Sequence, residues 1–443
     1  MTTRREFLQK TALGTAGLTF GAKSYSRILG ANDRVRVGIV GYSDRFRGAL
    51  SPCFMELAKE QNFEFTAVSD IWSLRRAEAE KFYKEKGINL KVYRNNEELY
   101  AGKDTDAVII STADFQHALH CKEAVEAGKD VYLEKPFAET MADARAARQA
   151  VEKSGKIVQI GSQRRSGYNY IAANDYINSG KFGKIVMVEM TWNVNQPGRW
   201  RRPGVVPTLK EADTDWTRYQ MNRPKAAFDP RKYLEFRLFW PYSSGIPGQW
   251  MAHQIDTVHW FTKIPHPLTV AANGGIYQWK DGRTNFDTMT AVMEYVDPSN
   301  PEIAFQVIFS SRFTNSAGGV KEMYFSNGGM LNLDTSKVTS DGGLGEREAK
   351  AMNMKSNLIE PYELPGLKIE TAANTGSDAM TTAHMRNWME CVRSRKRPNA
   401  DIMAGYNHSI ANIMCTAALR TGEKASFDEA KQEVLAGGKV FQY

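Results

Sequence analysis

The chain has 443 residues, 42% of them hydrophobic and 24% charged, with a formal net charge of +8. That balance excludes a disordered or fibrous chain and gives length enough for two domains with their own cores. Residues 1–31 carry five Lys/Arg and one Glu, so +4 of the charge sits there; the remaining +4 is interspersed with acids, which argues against a nucleic-acid partner.

The first segment, MTTRREFLQKTALGTAGLTFGA, sets Arg4-Arg5 ahead of an apolar run, Thr11–Ala22, that is broken by glycines and too short to span a bilayer. Residues 1–31 read as a twin-arginine (Tat) export signal, the other reading being a basic tail. The signal predicts a periplasmic or otherwise extracytoplasmic protein, exported folded, with no stable insertion in the membrane.

From Asp33 short apolar strands alternate with helices. Val35–Gly41, Phe63–Asp70, Ala107–Ala113, Asp130–Pro136 and Lys156–Gln163 read as strands; Ala49–Glu60, His117–Lys129 and Ala142–Gly155 read as helices. Fully apolar strands alternating with helices predict a doubly wound parallel sheet, a Rossmann-like domain over residues 32–165. The first turn, Gly41-Tyr42-Ser43-Asp44-Arg45-Phe46, is a degenerate phosphate-binding fingerprint: Gly41 holds the first glycine position, Ser43 the second and Phe46 the third. Asp70, at the end of the second strand, suits the ribose hydroxyls of NAD; Arg45, Arg75 and Arg76 leave NADP open.

Residues 166–443 have a different texture. Lys184–Val194, Leu268–Gln278, Thr288–Val296, Ile303–Phe313 and Glu322–Asp334 alternate or turn like hairpins, predicting an α/β domain with an open, mostly antiparallel sheet. Residues 194–235, rich in Arg, Pro and Trp, read as a long loop or lid, and 378–435 as helical. The basic group at 393–398 reads as a solvated helix end. Cys53, Cys121, Cys391 and Cys415 have no paired spacing and read as buried free thiols, and no metal site is expected.

The sharpest motif is Val131–Pro136, VYLEKP, because a lysine at the end of a buried strand is costly unless it is paired or used. With VRVGIVG, AVSD, GSQRRS and AHQID, it makes the chain resemble the Gfo/Idh/MocA family of nicotinamide-dependent sugar and polyol oxidoreductases. The resemblance implies a cofactor set of Gly41, Ser43, Arg45, Asp70, Thr112, His117, Glu134, Lys135 and Gln163, and a homo-oligomer built on the open sheet. The family's run near TPDHWHA is here Thr112–Ala118, with its proline and first histidine missing and Asp114 and His117 kept. It implies Lys135 beside the nicotinamide, polarising the reacting hydroxyl, and His253 as proton acceptor. Arg165, Trp192, Gln249 and Asp256 fall on the substrate side.

One departure matters. The family's Asp four residues before the histidine is Gln249 here, which cannot act as a base. Three readings stay open: Gln249 binds substrate while Lys135 and His253 move the proton, the chemistry has changed, or the site is silent and binds glycans. Gln249→Asp raising turnover would mark an altered site. His259 reads as a core residue, with His384 and His408 as remote candidates. Trp192, Trp200, Trp216, Tyr233, Phe239 and Trp240 could stack on a sugar, and Arg199, Arg201 and Arg202 could bind hydroxyls or an acidic group; packing of a lid is the rival reading. An export label joined to a dinucleotide fold predicts tightly held NAD and redox-neutral chemistry on a sugar, polyol or glycoside, with NAD-dependent glycoside cleavage by oxidation and elimination as an alternative.

Overall fold

The computed structural model describes residues 33–365 and 378–443; the expected export signal lies outside them. The first six strands are β1 (Val35–Val40), β2 (Phe63–Ser69), β3 (Lys91–Tyr93), β4 (Ala107–Ile110), β5 (Asp130–Leu133) and β6 (Val158–Ile160), in spatial order β3-β2-β1-β4-β5-β6 with every pairing parallel. Alternate side chains of this sheet serve two cores, as the two-residue period demands. Val37, Ile39, Phe65 and Ile109 face one, Val108, Ile110, Leu133 and Ile160 the other. The strand order reverses between β1 and β4, which places the ligand crevice at their carboxyl ends.

In the first domain β3 and the helices Ser73–Glu85 and Asn96–Ala101 were not legible. β3 is a three-residue edge strand, and the helix Ser73–Glu85 buries only Ala79 and Tyr83, so neither has a strong apolar signature. The boundary expected at 165/166 falls inside the turn Gln163–Ser166. One later helix, Ala379–Ser394, nevertheless returns to the first sheet, where Met385, Trp388 and Met389 complete its outer core. Arg395, just past that helix, donates two hydrogen bonds to the Asp130 carboxylate at 2.6 and 2.9 Å, so the basic helix end is partly tied to the first domain.

The second sheet has eleven strands: β7 (Ile185–Asn193), β8 (Thr269–Gly275), β9 (Thr288–Asp297), β10 (Asn300–Arg312), β11 (Val320–Ser326), β12 (Gly329–Asn332), β13 (Lys337–Thr339), β14 (Tyr362–Glu363), β15 (Ala425–Asp428), β16 (Glu433–Ala436) and β17 (Lys439–Val440). Their order is β14-β13-β12-β11-β7-β10-β9-β8-β15-β16-β17, and only β7 and β10 pair in parallel. In β9, buried Met289, Ala291, Met293 and Tyr295 alternate with exposed Thr290, Val292 and Glu294, so one face is covered and the other open. The helices Ala252–Thr262 and Ile402–Thr421 cover the inner face. β15 and most of β16 fall where residues 378–435 read as helix; the helical signal ends at Gly422, which takes the left-handed conformation that caps the long helix. No helix among the described residues is long and apolar enough to cross a membrane.

Candidate active site

The crevice at the tips of β1, β4 and β5 holds two adjoining cavities. The smaller, about 350 Å³, is lined by Gly41, Ser43, Asp70, Trp72, Tyr233 and others. The larger, about 710 Å³, is lined by Lys135, Gln163, Arg164, Trp192, Gln249 and His253 among others. Ser111, Thr112, Asp44, Arg45, Arg202 and Arg237 line both.

The smaller cavity fits a dinucleotide. Gly41 has φ +85°, and a Cβ there would stand 2.8 Å from Thr112 Cγ2 and 3.2 Å from the Ser111 carbonyl, so only glycine lets the turn close. Ser43 Oγ accepts from the Phe46 N–H at 3.2 Å and shares a bond with Ser111 Oγ at 3.2 Å, fixing the start of the following helix. The third glycine position is filled by fully buried Phe46, and the helix opens there into a wider turn, Phe46–Leu50, which gives that ring room against Phe65. Thr112 Oγ1 is buried with no partner in the protein, a hydroxyl left for a ligand. Asp70 accepts from the backbone N–H groups of Tyr42 (2.8 Å) and Trp72 (2.9 Å), which holds its carboxylate at the cavity edge.

The arginines that left NADP open have other work. Arg45 bonds Glu134 at 2.9 Å, Arg75 bonds Asp44 (2.8 Å) and Glu78 (3.1 Å), and Arg76 donates to the Asp70 carbonyl at 2.7 Å. These engagements favour NAD. Gly41→Val is expected to destabilise the fold by about 1–3 kcal/mol through the forced φ and to weaken NAD binding, read by thermal unfolding and by NADH fluorescence titration.

The larger cavity carries the reactive groups. Lys135 leaves the tip of β5, and the segment after it is clamped: Phe137 N donates to His408 Nε2 and Ala138 N to Ser409 Oγ, each at 3.1 Å. His117 reinforces the same turn, its ring nitrogens 2.8 Å from the Pro136 carbonyl and 3.2 Å from that of Thr112. Lys135 Nζ donates to the Gln249 carbonyl at 2.7 Å. Burial brings its pKa down to about 7, against the pull of Asp114 and Glu134. Glu134 also accepts from Gln163 at 3.3 Å. His253 Nε2 is buried with no partner, and burial together with the Lys135 and Arg164 charges holds its pKa well below the ordinary histidine value. The imidazole is therefore neutral near pH 7. It stacks on Trp192 (5.5 Å between centroids), which stacks on Trp250 (4.7 Å), which in turn faces Trp200 (5.9 Å).

Gln249 has a partner that the sequence did not reveal. Its turn, Pro247–Met251, is a wide one in which Ala252 N reaches back to the Pro247 carbonyl, so the four-residue spacing to His253 no longer acts as in an α-helix. The amide donates to Asp114 Oδ2 at 2.6 Å, where Ser243 Oγ also donates at 2.6 Å. Behind them lies buried Glu139, held by Ser244 and pushed by burial up to about 8. In Gln249→Asp a new carboxylate would meet Asp114 in a dry setting. Turnover should fall, and the loss of thermal stability should ease as pH drops from 8 to 5 and one acid takes up a proton.

Arg165 and Asp256, both expected at the substrate, are spent on each other. Arg165 donates two hydrogen bonds to the Asp256 carboxylate, at 2.8 and 2.9 Å, and neither residue lines the cavity. Arg164, one residue earlier in the same tight turn, lines it instead, because successive side chains in a three-residue turn point about 120° apart. Its guanidinium pairs with buried Glu322. His384 is tied to Ser166 (2.7 Å) and the Ile160 carbonyl (2.8 Å), and His259 to Tyr295 (2.9 Å), so both are structural, as is His408. Of the six aromatic residues offered for stacking, Trp192 and Trp200 line the larger cavity and Tyr233 the smaller; Trp216 packs on Tyr219, and Trp240 on Tyr443. Arg201 is consumed by Glu235 and Asp281. All four cysteines are free and buried, as expected.

Comparison with known proteins agrees with this fold. Residues 35–162 match the model of the Gfo/Idh/MocA oxidoreductase family, NAD-binding Rossmann fold. Inositol 2-dehydrogenase of Salmonella typhimurium is 30% identical over 227 residues, 51% of this chain and 52% of that protein; the chain thus spans about half the length of such curated relatives. Among solved structures, the WlbA dehydrogenase of Bordetella pertussis in complex with NADH and UDP-GlcNAcA is 16% identical, with a TM-score of 0.62 over 89% of this chain and 99% of that one. The aldose-aldose oxidoreductase of Caulobacter crescentus, complexed with glycerol, is 18% identical, with a TM-score of 0.59 over 89% of this chain and 100% of that one. At such identities these structures speak for the fold. The residues that match the family model, 35–162, are those of the six-stranded parallel sheet, an NAD-binding Rossmann fold.

Proposed function

We propose that this chain is an exported NAD-dependent oxidoreductase that oxidises a hydroxyl of a sugar, polyol or glycoside and closes its redox cycle within the same site. The observation that carries the reading is one cavity, continuous with the dinucleotide crevice, lined by both an anchored amine, Lys135, and an unpartnered imidazole, His253. Its tryptophan wall suits the apolar face of a sugar, and inositol and aldose enzymes among its relatives point to the same substrate class.

When bound, nicotinamide supplies the two-electron acceptor that none of these side chains can provide. The chain's own groups handle the proton and the charge. Lys135, fixed by the Gln249 carbonyl, presents its remaining N–H groups to the reacting hydroxyl and steadies the negative charge that grows on oxygen. His253 Nε2, neutral and without a partner, accepts the hydroxyl proton. Asp114 holds Gln249, and through it the carbonyl that steers the amine.

The export reading comes from Arg4-Arg5 and the run behind it, and redox neutrality follows from that reading. Beyond the cytoplasm a released nicotinamide is not replaced, so reduction of a second sugar, or return of the hydride to the first, must regenerate the acceptor. The open face of β9 supports a homo-oligomer. The test is to purify the exported form, denature it and assay the supernatant for nicotinamide. Stoichiometric cofactor is the expected result; an empty protein that binds NAD weakly would sink the redox-neutral scheme.

A further inference from the structure

Among the described residues, Arg199 is the cation on the wall of the larger cavity that no carboxylate opposes. Arg45 has Glu134, Arg164 has Glu322, Arg202 has Asp44, Arg237 stands 3.8 Å from Asp114, and Lys135 feels the charges of Asp114 and Glu134. Arg199 donates to the neutral side chain of Gln196 at 3.1 Å and lies over the Trp250 ring, 4.7 Å from its centroid. Burial, with the like charges of Arg237 and Arg202 beside it, brings its pKa down to about 10, which still leaves it charged at neutral pH.

The backbone is bent to keep it there. Trp200, the next residue, has φ +64°, a left-handed conformation that a bulky side chain rarely adopts. That turn lets Arg199 and Trp200 both lie against Trp250, with Trp200 also edge-on to Phe313 at 4.9 Å. Strain of this kind persists where the surroundings impose it, and it clusters at ligand sites. Two further donors wait on the same wall: the indole N–H groups of Trp192 and Trp250 are buried without a partner.

A half-buried guanidinium beside two others, with no acid opposing it among the described residues, is costly unless a ligand completes it. The pyrophosphate of the cofactor is the obvious rival claimant. Arg202 and Arg237 line both cavities, where a dinucleotide would cross between them; Arg199 lines only the larger one, on the stack that ends at His253. The anion it awaits is therefore on the substrate.

We propose that the substrate is an anionic sugar or glycoside, one bearing a carboxylate or a phosphate, whose charged group is bound by Arg199 against Trp250. This rests on the reading of the cleft as a sugar site. A planar guanidinium suits either group, since both accept two parallel N–H bonds.

The test uses the full chain loaded with NAD and three ligands: glucuronate, glucose 6-phosphate and glucose. Tryptophan fluorescence reports binding, and nicotinamide absorbance reports reduction separately. At least one anionic ligand should bind about tenfold or more tightly than glucose, a gap of about 1.4 kcal/mol, and added salt should narrow that gap. Arg199→Gln should abolish the preference and leave NAD affinity intact; whichever anion wins names the source of the charge. Equal binding of all three ligands would overturn the proposal, as would an Arg199→Gln protein that loses NAD instead. Anion preference with no reduction by any ligand would spare the anionic site and count against the oxidoreductase reading. Reduction by glucose without anion preference would do the reverse.

Discussion

Replacing Lys135 by Met should cut turnover by about 10²–10⁴-fold while NAD affinity, followed by NADH fluorescence, changes little. Methionine keeps the length and apolar stem but removes the only amine at the tip of β5. The surrounding turn should survive, because it is held by Phe137, Ala138 and His117 rather than by Nζ. The same residue sets the pH profile. With its pKa near 7, Lys135 carries a proton below neutrality and loses it above, whereas His253 is already neutral well below pH 6.5. A reaction that needs the ammonium and the free imidazole together should therefore lose kcat/KM as pH rises through about 7, with no His253 limb between pH 6 and 7. Rates that climb through pH 7 would mean that the free amine is the base and that the roles assigned to Lys135 and His253 are exchanged. Lys135→Met should remove the limb altogether, an effect that loss of packing alone cannot produce.

How much of this was legible in the sequence depended on whether a residue's partner lay close by in the chain. The parallel sheet was readable because its strands are apolar throughout, and the cofactor turn because a positive φ and a close approach need glycine at position 41. Lys135 stood out because an amine at the end of a buried strand demands a reason. Residues whose roles depend on distant segments were not readable. Asp114 reaches Gln249 across 135 positions, and Arg164 reaches Glu322 across 158. Arg164 and Arg165 are indistinguishable as adjacent arginines in the sequence, and only the geometry of the tight turn decides which faces the cavity. In the same way, Gln249 looked like a lost carboxylate in isolation. The structure shows the carboxylate arriving from the other domain, with the glutamine as its hydrogen-bond donor.

The largest effect on stability should come from Glu322→Ala. Glu322, 1% exposed, is the counter-ion of Arg164, and Thr257 and Tyr324 hydroxyls also donate to it. Burial pushes its carboxyl up to about 7 against the pull of Arg164, so at pH 8 both partners are charged. Removing one member of a buried pair strands the other, at a cost of about 3–5 kcal/mol. Here the stranded group is a guanidinium packed over Trp192 (5.7 Å) and Tyr170 (5.1 Å) in the cavity wall, so the loss should spread to the stack that carries His253. Denaturant unfolding at pH 8 would read the stability. Arg164→Met combined with Glu322→Leu should recover much of it, because an apolar pair of similar volume leaves no charge behind. The two experiments separate packing from chemistry. If the double variant is stable but still binds sugar poorly, Arg164 serves the ligand as well as the fold. If Glu322→Ala alone is as stable as the parent, the pair is open to water and the cavity wall is less dry than its burial indicates.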